Sequence, residues 1–341
     1  MKIAIDAMGG DNAPSIPIEG TVLASNQLPY EFILIGNEKI VEKELQNYTF
    51  NQNKISIYHT SEVIGMDESP SYACRQKKDS SIIRGCQLVN ERKVDAFVSA
   101  GNSGAVMAAA LIHLGRISGV TRPAIALSFP TPKGISLLLD VGANVDCKPR
   151  HLLEFAVMGQ IYAKEIFKIS NPTVGLLSIG KEESKGNSLT LETYSLLRDK
   201  SSNFIGNIEG GDIPKGVADV VVCDGFVGNV LIKTAEGIYE VAQEWIKREI
   251  LKNPVNKFFA FFLKGAMKNI KGNLNYEEYG GAPLLGVNGA CIISHGHSNA
   301  KAISNAIKVG VRFIEQNVNH HIENKLKEIL LNKGEEIDSD Y

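Results

Sequence analysis

Four loops of the sequence carry residue types that can bind an oxyanion. Each sets glycines beside Asp, Asn or Ser directly after a predicted strand, and the loops are Asp6–Asn12, Ser99–Ala105, Asp140–Asn144 and Asp224–Asn229. Backbone N–H groups in such loops, helped by a helix N-terminus, favour a phosphate. Because parallel strands end at one edge of a sheet, the four loops together predict one polar floor for a phosphate-bearing ligand.

These loops supply most of the predicted substrate-binding residues. They are Asp6, Gly9, Gly10, Asp11, Asn102, Ser103, Gly104, Asn144, Asp224 and Gly228. Taken alone, the last loop is more typical of an ordinary strand–turn–helix joint with Asn229 as the helix cap. None of the loops matches GxxxxGK[ST] or a well-spaced GxGxxG, so the sequence does not favour a nucleoside triphosphate or nicotinamide site.

Lysines follow another predicted strand in the loop Gly180–Asn187. Lys181 or Lys185 can neutralise a phosphate dianion or a developing oxyanion there, although a solvated surface loop is the alternative. A second basic group, Arg75, Lys77, Lys78 and Arg84, lies on one early predicted helix. It is either a solvated face or a dock for an acidic partner.

Two histidines and a cysteine complete the candidates. His295 and His297 stand two apart, with no Cys or third His at ligand spacing, so no metal site is predicted. His295 is a possible substrate contact, and the alternative is a histidine near a helix cap. Cys223 abuts the last glycine loop, but a buried strand cysteine is favoured over a nucleophile.

The segment Pro254–Lys271 has an aromatic face opposite a row of lysines. Phe261 lies near the lysine edge, where a helix of a soluble protein rarely places it. We predict that this helix rests on an anionic membrane surface through Phe258, Phe261, Phe262 and Lys264. The alternative is a helix whose aromatic face packs on the body of the protein or on a partner subunit.

Composition excludes several classes of protein. The chain has 341 residues, 44% of them hydrophobic, and a net charge of −2, so nothing indicates nucleic-acid binding. The five scattered cysteines fit a reducing cytosol. The N-terminus does not resemble a signal peptide, and no apolar run is long enough to span a membrane.

Predicted strands and helices alternate along nearly the whole chain. This alternation predicts an α/β fold with a mostly parallel sheet covered on both faces, and the turn at Pro130–Gly134 adds one antiparallel pair. Single long helices are expected over Ser71–Arg92 and Ser298–Leu331. We expect one domain with a cleft over residues 1–332, followed by an acidic tail at 333–341.

Six stretches of the sequence resemble a known family. They are Met1–Pro14, Ser99–Ala105, Leu139–Pro149, Lys185–Asn187, Ala218–Asn229 and Tyr279–Ala282. The resemblance covers nearly the whole chain, and the family is the bacterial phosphate acyltransferase of phospholipid synthesis. One departure is Ser184, where many relatives have a charge, and it blurs which lysine of Lys181 and Lys185 acts.

The resemblance implies an activity and a setting. Such an enzyme moves a fatty acyl group from acyl carrier protein to inorganic phosphate and needs no cofactor. The implied fold is a three-layer α/β/α fold like that of isocitrate and isopropylmalate dehydrogenases. The resemblance also implies a cytoplasmic homodimer loosely associated with the membrane, where a glycerol-3-phosphate acyltransferase takes the product. Lys185 and Asn229 are carried over as catalytic residues.

Two other functions remain open. One is a phosphotransacetylase or phosphobutyryltransferase that uses coenzyme A and short acyl groups, against which the amphipathic segment argues. The other is a peripheral membrane scaffold, which would leave the polar loops without a purpose.

Overall fold

The computed structural model of the chain describes residues 1–201, 203–253, 255, 265 and 280–331. Apart from positions 255 and 265, the predicted membrane segment Pro254–Lys271 lies outside the described residues, and so do the tail 333–341 and the four predicted membrane contacts Phe258, Phe261, Phe262 and Lys264.

Twelve strands are found in the described residues, and they form two sheets. In chain order they are β1 (Lys2–Asp6), β2 (Glu31–Gly36), β3 (Ile55–His59), β4 (Ala96–Ser99), β5 (Ala124–Ile125), β6 (Leu127–Thr131), β7 (Gly134–Leu139), β8 (Val174–Leu177), β9 (Phe204–Ile208), β10 (Val220–Val222), β11 (Ala282–Leu285) and β12 (Ala290–Ile293). The seven-stranded sheet has the order β3-β2-β1-β4-β12-β11-β5, and the five-stranded sheet has the order β6-β7-β10-β8-β9.

Helices connect most of these strands. They are α1 (Ser15–Gln27), α2 (Glu38–Leu45), α3 (Pro70–Gln76), α4 (Ser81–Asn90), α5 (Ser103–His113), α6 (Pro149–Ile166), α7 (Ser188–Lys200), α8 (Gly225–Leu251), α9 (Ala300–Glu315) and α10 (Val318–Leu331), with a 3₁₀ helix at Gly210–Lys215. Helix α1 packs on α9, and α6 packs on α7 and α10. The predicted α/β class is confirmed.

Most strand pairs are parallel, as the alternation of strands and helices predicts. The short run Val220–Val222 is buried and pairs in parallel with β7 on one side and β8 on the other. The predicted antiparallel turn is also confirmed, because Thr131 of β6 faces Gly134 of β7. One feature was not predicted: the chain passes from one sheet to the other at Ala126, between β5 and β6.

The core is continuous between the two sheets. One cluster of buried side chains includes Phe32 of β2, in the seven-stranded sheet, and Phe155 and Tyr162 of α6, which packs on the five-stranded sheet. Each such side chain contributes roughly 1.5–3 kcal/mol on burial. A Cβ at Gly159 would lie 2.6 Å from Val220, so this glycine lets α6 approach β10 closely.

Two predicted long helices are wrong, because each is divided in two. The helix predicted over Ser71–Arg92 is interrupted between α3 and α4, where the Ser80 side chain accepts a hydrogen bond from the N–H of Ile83 and starts a new helix. The helix predicted over Ser298–Leu331 is interrupted at Asn317, whose φ of 47° is left-handed.

Candidate active site

The carboxyl edge of the seven-stranded sheet begins with a buried aspartate. Asp6 ends β1 and is 1% exposed. Its carboxylate accepts hydrogen bonds from the Ser99 hydroxyl at 2.7 Å and from the N–H of Met8 at 3.0 Å. Burial raises the pKa of Asp6, and the hydrogen bonds offset part of that effect. A Cβ at Gly9 would lie 2.3 Å from the Asp6 carboxylate. Asp6 and Gly9 therefore hold the first loop close to the end of β1.

The first loop also joins the loop that follows β12. Gly10 has a φ of 102°, which suits glycine. Asp11 donates its backbone N–H to the carbonyl of Gly296 at 2.9 Å. Its carboxylate lies 2.8 Å from Nδ1 of His297. The loops after β1 and β12 thus form one wall of the edge.

Asn102 is a structural cap of α5. Its side-chain oxygen accepts from the N–H of Ala105, and its amide nitrogen lies 2.9 Å from the carbonyl of Met66 and 3.0 Å from that of Glu68. These contacts occupy the amide, so the predicted role of Asn102 as a substrate contact gains no support. Ser103 and Gly104 form the first turn of α5, and Ser103 is exposed.

Asp140 has the same kind of role at the edge of the five-stranded sheet. It is fully buried after β7, and its carboxylate accepts from the N–H groups of Ile125, Ala143 and Asn144 and from the Asn144 amide. Desolvation raises the pKa of Asp140. Asn144 also donates to the carbonyl of Pro123 at 2.7 Å. Asn144 is thus held within the joint between the sheets, and the structure does not favour it as a ligand contact.

Helix α8 begins earlier than predicted. Asp224, not Asn229, is the cap, because its carboxylate accepts from the N–H of Val227 at 2.9 Å. A Cβ at Gly228 would lie 1.9 Å from the Asp140 carbonyl oxygen, so this glycine is needed for packing. Asn229 is exposed, and its side chain lies over Gly142. Of this loop, Asn229 remains available to a substrate.

The lysine loop follows β8, the strand beside β10. Lys181 forms an ion pair with Asp212 at 3.1 Å. Lys185 is exposed and has no ion pair among the described residues, while its backbone carbonyl accepts from the Ser178 hydroxyl at 3.0 Å. Hydrogen bonding therefore fixes the backbone of this loop. Of the two lysines, Lys185 is better placed than Lys181 to bind a ligand.

The two sheet edges meet through α8. Nζ of Lys233 lies 3.0 Å from Nε2 of His295, which follows β12, and 2.8 Å from the Glu236 carboxylate. Lys233 stands four residues after Asn229, so both lie on one face of the helix. Sequence reasoning missed Lys233 and Glu236. For Lys233 the available signal was its i+4 spacing from Asn229, which does not indicate the contact with His295.

Two further candidates have other roles. Cys223 is buried, and desolvation raises the pKa of its thiol well above the ordinary value, which leaves it a poor nucleophile.

In the early basic group, Lys77 pairs with Glu68 and Arg84 with Asp79. Hydrogen bonds from Ser61 and Arg84 lower the pKa of Asp79 to about 2. Arg75 and Lys78 are exposed.

One cavity lies away from this edge. It has a volume of about 460 Å³ and opens where β4 and β12 begin, with Asp95, Asn288 and His320 among its lining residues. It contains none of the predicted site residues. Within the described residues, no helix is long and apolar enough to cross a membrane.

This arrangement defines an α/β protein with the fold of the phosphotransacetylases. A phosphotransacetylase from Streptococcus pyogenes matches with a TM-score of 0.60 and 19% identity, over 92% of this chain and 94% of that chain. A 4-hydroxythreonine-4-phosphate dehydrogenase from Klebsiella pneumoniae matches with a TM-score of 0.50 and 11% identity, over 92% of this chain and 97% of that chain. The predicted three-layer, dehydrogenase-like fold is thereby confirmed.

Sequence relatives identify the family. The model of the family described as fatty acid synthesis protein matches residues 1–321. A phosphate acyltransferase from Dictyoglomus turgidum is 51% identical over 331 residues, 96% of this chain and 98% of that protein. Another from Pelobacter propionicus is 52% identical over 328 residues, 96% of this chain and 95% of that protein. The chain belongs to the phosphate acyltransferase family, and it is an acyltransferase of lipid and fatty acid synthesis.

Proposed function

We propose that the protein transfers a long-chain fatty acyl group from the thioester of acyl carrier protein to inorganic phosphate, giving an acyl phosphate for phosphatidic acid synthesis. The observation that carries this proposal is the exposed Lys185 ammonium and the exposed Asn229 amide, which follow neighbouring strands β8 and β10 at one edge. The relatives named phosphate acyltransferase support phosphate as the acceptor.

Phosphate itself is the nucleophile in this mechanism. One oxygen of hydrogen phosphate forms a bond to the thioester carbonyl carbon and the C–S bond breaks. The carrier leaves as a thiolate, which takes up the proton that the phosphate loses. No covalent enzyme intermediate is needed, which agrees with the buried, protonated thiol of Cys223. The protein must hold two reactants in line and exclude water.

Lys185 and Asn229 have distinct roles in this mechanism. The Lys185 ammonium neutralises the phosphate dianion. Asn229, or a loop N–H group, donates to the oxyanion that develops on the carbonyl oxygen. One such donor typically contributes roughly 3–4 kcal/mol to transition-state stabilisation. The N–H groups at the start of α5 and α8 add partial positive charge at the same edges.

The setting of the enzyme is also a proposal. Residues 1–332 act as one catalytic unit within a cytoplasmic homodimer, which light scattering would test. The segment around Phe258, Phe261, Phe262 and Lys264 holds the enzyme at the inner face of the cell membrane, where a membrane glycerol-3-phosphate acyltransferase takes the product. Replacing Phe258 and Phe261 by Glu should abolish binding to anionic liposomes, and unchanged binding would refute the membrane contact.

The donor and the product can be tested together. Palmitoyl-carrier protein and phosphate are mixed with the protein, and acyl phosphate is measured by mass spectrometry. A second reaction contains acetyl- or butyryl-coenzyme A as the donor. We expect acyl phosphate from the carrier thioester. Product from the short coenzyme A thioesters alone would identify a phosphotransacetylase, and binding to liposomes without thioester loss would identify a scaffold.

A further inference from the structure

An exposed apolar side chain follows each of three neighbouring strands of the five-stranded sheet. The strands β7, β10 and β8 lie side by side in that order. Val145, Phe226 and Ile179 come after their carboxyl ends, and these side chains are 62%, 59% and 80% exposed. Among the described residues, Ile179 has the most exposed large apolar side chain. Single exposed apolar side chains are ordinary, but a group of them at one sheet edge indicates a binding surface.

A backbone hydrogen bond brings the first two of these residues together. The N–H of Gly225 donates to the carbonyl of Asn144 at 2.7 Å. Val145 is the residue after Asn144, and Phe226 is the residue after Gly225. A Cβ at Gly225 would lie 2.8 Å from the backbone nitrogen of Asn144, so a larger residue would not permit this approach. The loop after β7 and the first turn of α8 therefore place Val145 and Phe226 in the same short stretch of the edge.

Ile179 lies one strand further along the edge. Leu176 of β8 is the register partner of Val222 of β10. Ile179 comes three residues after Leu176, and Phe226 comes four residues after Val222, so both lie beyond the same end of the sheet. Neighbouring strands are about 4.8 Å apart, so the three strands span about 10 Å of the edge. We call Val145, Phe226 and Ile179 the apolar strip.

The apolar strip borders both predicted catalytic residues. Asn229 follows Phe226 by three residues, so the two lie on one side of α8. A Cβ at Gly180, the residue after Ile179, would lie 3.0 Å from Cγ of Lys185. The Lys185 side chain thus passes beside the backbone that carries Ile179. A thioester whose carbonyl oxygen is bound by Asn229 would have its acyl chain beside this surface.

A separate face of α8 is also apolar. Ile238, Val241 and Trp245 are exposed, and they lie three to five turns beyond Phe226 and roughly 100° around the helix from it. Association with a second copy of the chain or with a membrane does not require the apolar strip, because that separate face is available. The apolar strip instead adjoins a cation and an amide donor, which fits the junction between an acyl chain and its reacting thioester.

We propose that the apolar strip binds the acyl chain of the thioester donor and thereby sets a preference for long chains. The inference rests on the proposed function and adds to it the residues that recognise the donor. The strip forms no bond in the reaction, and its contribution grows with each methylene that leaves water. A fully buried methylene corresponds to about fourfold in affinity. A chain on an open surface buries only one side, so we expect roughly twofold for each methylene.

Steady-state kinetics with donors of different chain length tests the apolar strip. Carrier thioesters with 8, 12 and 16 carbons are compared at saturating phosphate. For wild-type protein we expect kcat/KM to rise roughly tenfold from 8 to 12 carbons. In Ile179→Ser and Phe226→Ser this rise should fall to less than about threefold, because the surface that binds the added methylenes is lost. Ile179→Leu keeps an apolar side chain and should retain the rise.

Ile112 provides a matched control. Its side chain is 62% exposed near the end of α5, a helix that packs on β12 of the other sheet. Ile112→Ser should leave kcat/KM unchanged at every chain length. Equal losses at all three chain lengths in Ile179→Ser and Phe226→Ser would overturn the proposal, and so would unchanged kinetics.

Two further measurements on the same variants separate the other occupants of the apolar strip. They are light scattering and binding to anionic liposomes. A variant that loses self-association or liposome binding, but keeps the chain-length dependence of wild-type protein, would assign the strip to a second copy or to the membrane and overturn the proposal. Wild-type protein that makes no acyl phosphate from any carrier thioester would instead refute the proposed function, so the two failures are distinguishable.

Discussion

The two sheets end in similar loops, but the polar side chains of these loops differ in burial and in hydrogen bonding. At the edge of the seven-stranded sheet, Asp6 and Asn102 are buried and engaged in hydrogen bonds to the protein itself. Of the exposed side chains there, Asp11 contacts His297 and Ser103 carries no charge. At the edge of the five-stranded sheet, Asp140 is engaged in the same way, but Lys185 and Asn229 are exposed. The comparison shows that similar loops contain two kinds of polar residue. Some are buried and stabilise the loop through hydrogen bonds, and others are exposed and can contact a substrate.

The largest effect on activity is expected at Lys185. Lys185→Ala should lower kcat about 10²- to 10³-fold, because a charge that stabilises the reacting phosphate is lost, while the melting temperature stays unchanged. Lys181→Ala is the matched control within the same loop. Since the Lys181 ammonium is exposed and already paired with Asp212, its loss should change kcat by less than about threefold. Equal effects of the two substitutions on phosphate-dependent thioester loss would contradict the assignment.

The largest effect on stability is expected at Gly228. A Cβ there would lie 1.9 Å from the Asp140 carbonyl oxygen, so Gly228→Ala must push the first turn of α8 away from the five-stranded sheet. We expect the free energy of unfolding to fall by about 1–3 kcal/mol, measured by chemical denaturation. Gly237→Ala, on the same helix with no atom within 4 Å of the new Cβ, should instead stabilise the protein by about 0.5–1 kcal/mol. Two equal changes would show that the close approach of α8 is not required.

A smaller effect is expected at Asn102. Asn102→Ala removes the cap of α5 and the donor to the carbonyls of Met66 and Glu68, so it should lower the free energy of unfolding by about 2 kcal/mol. Turnover of the folded variant should change little, because the amide is occupied by the protein. Ser103→Ala, at an exposed position in the next residue, should leave stability unchanged. A stable Asn102→Ala protein with heavily reduced turnover would place Asn102 among the substrate contacts.

Local patterns in the sequence predicted much of the fold. The alternation of strands and helices correctly predicted the α/β class, and the β-branched run Val220–Val222 correctly predicted a strand buried between two others. The division into two sheets was not predicted, because it depends on a crossing at Ala126, where no glycine, proline or charge marks the sequence. The breaks in the two long helices depend on single residues, Ser80 and Asn317.

The candidate site was only partly predictable. The loops could be found, because glycine and small polar residues after a strand are a local pattern. The sequence could not show which polar side chains are hydrogen-bonded within the protein, because their partners are distant along the chain. Asn102, for example, donates to the carbonyls of Met66 and Glu68, 36 and 34 residues away. The contact between Lys233 and His295 spans 62 residues and two sheets, and no local pattern indicates it.

The position of α8 has a consequence for the spacing between the edges of the two sheets. Its first turn packs against the Asp140 loop at Gly228, and little more than one turn later Lys233 contacts His295 in the loop after β12 of the other sheet. The first three turns of the helix thus contact loops at the edges of both sheets. Lys233 and His295 can stay in contact only while the two edges keep this spacing, so any motion that separates the edges must break the contact.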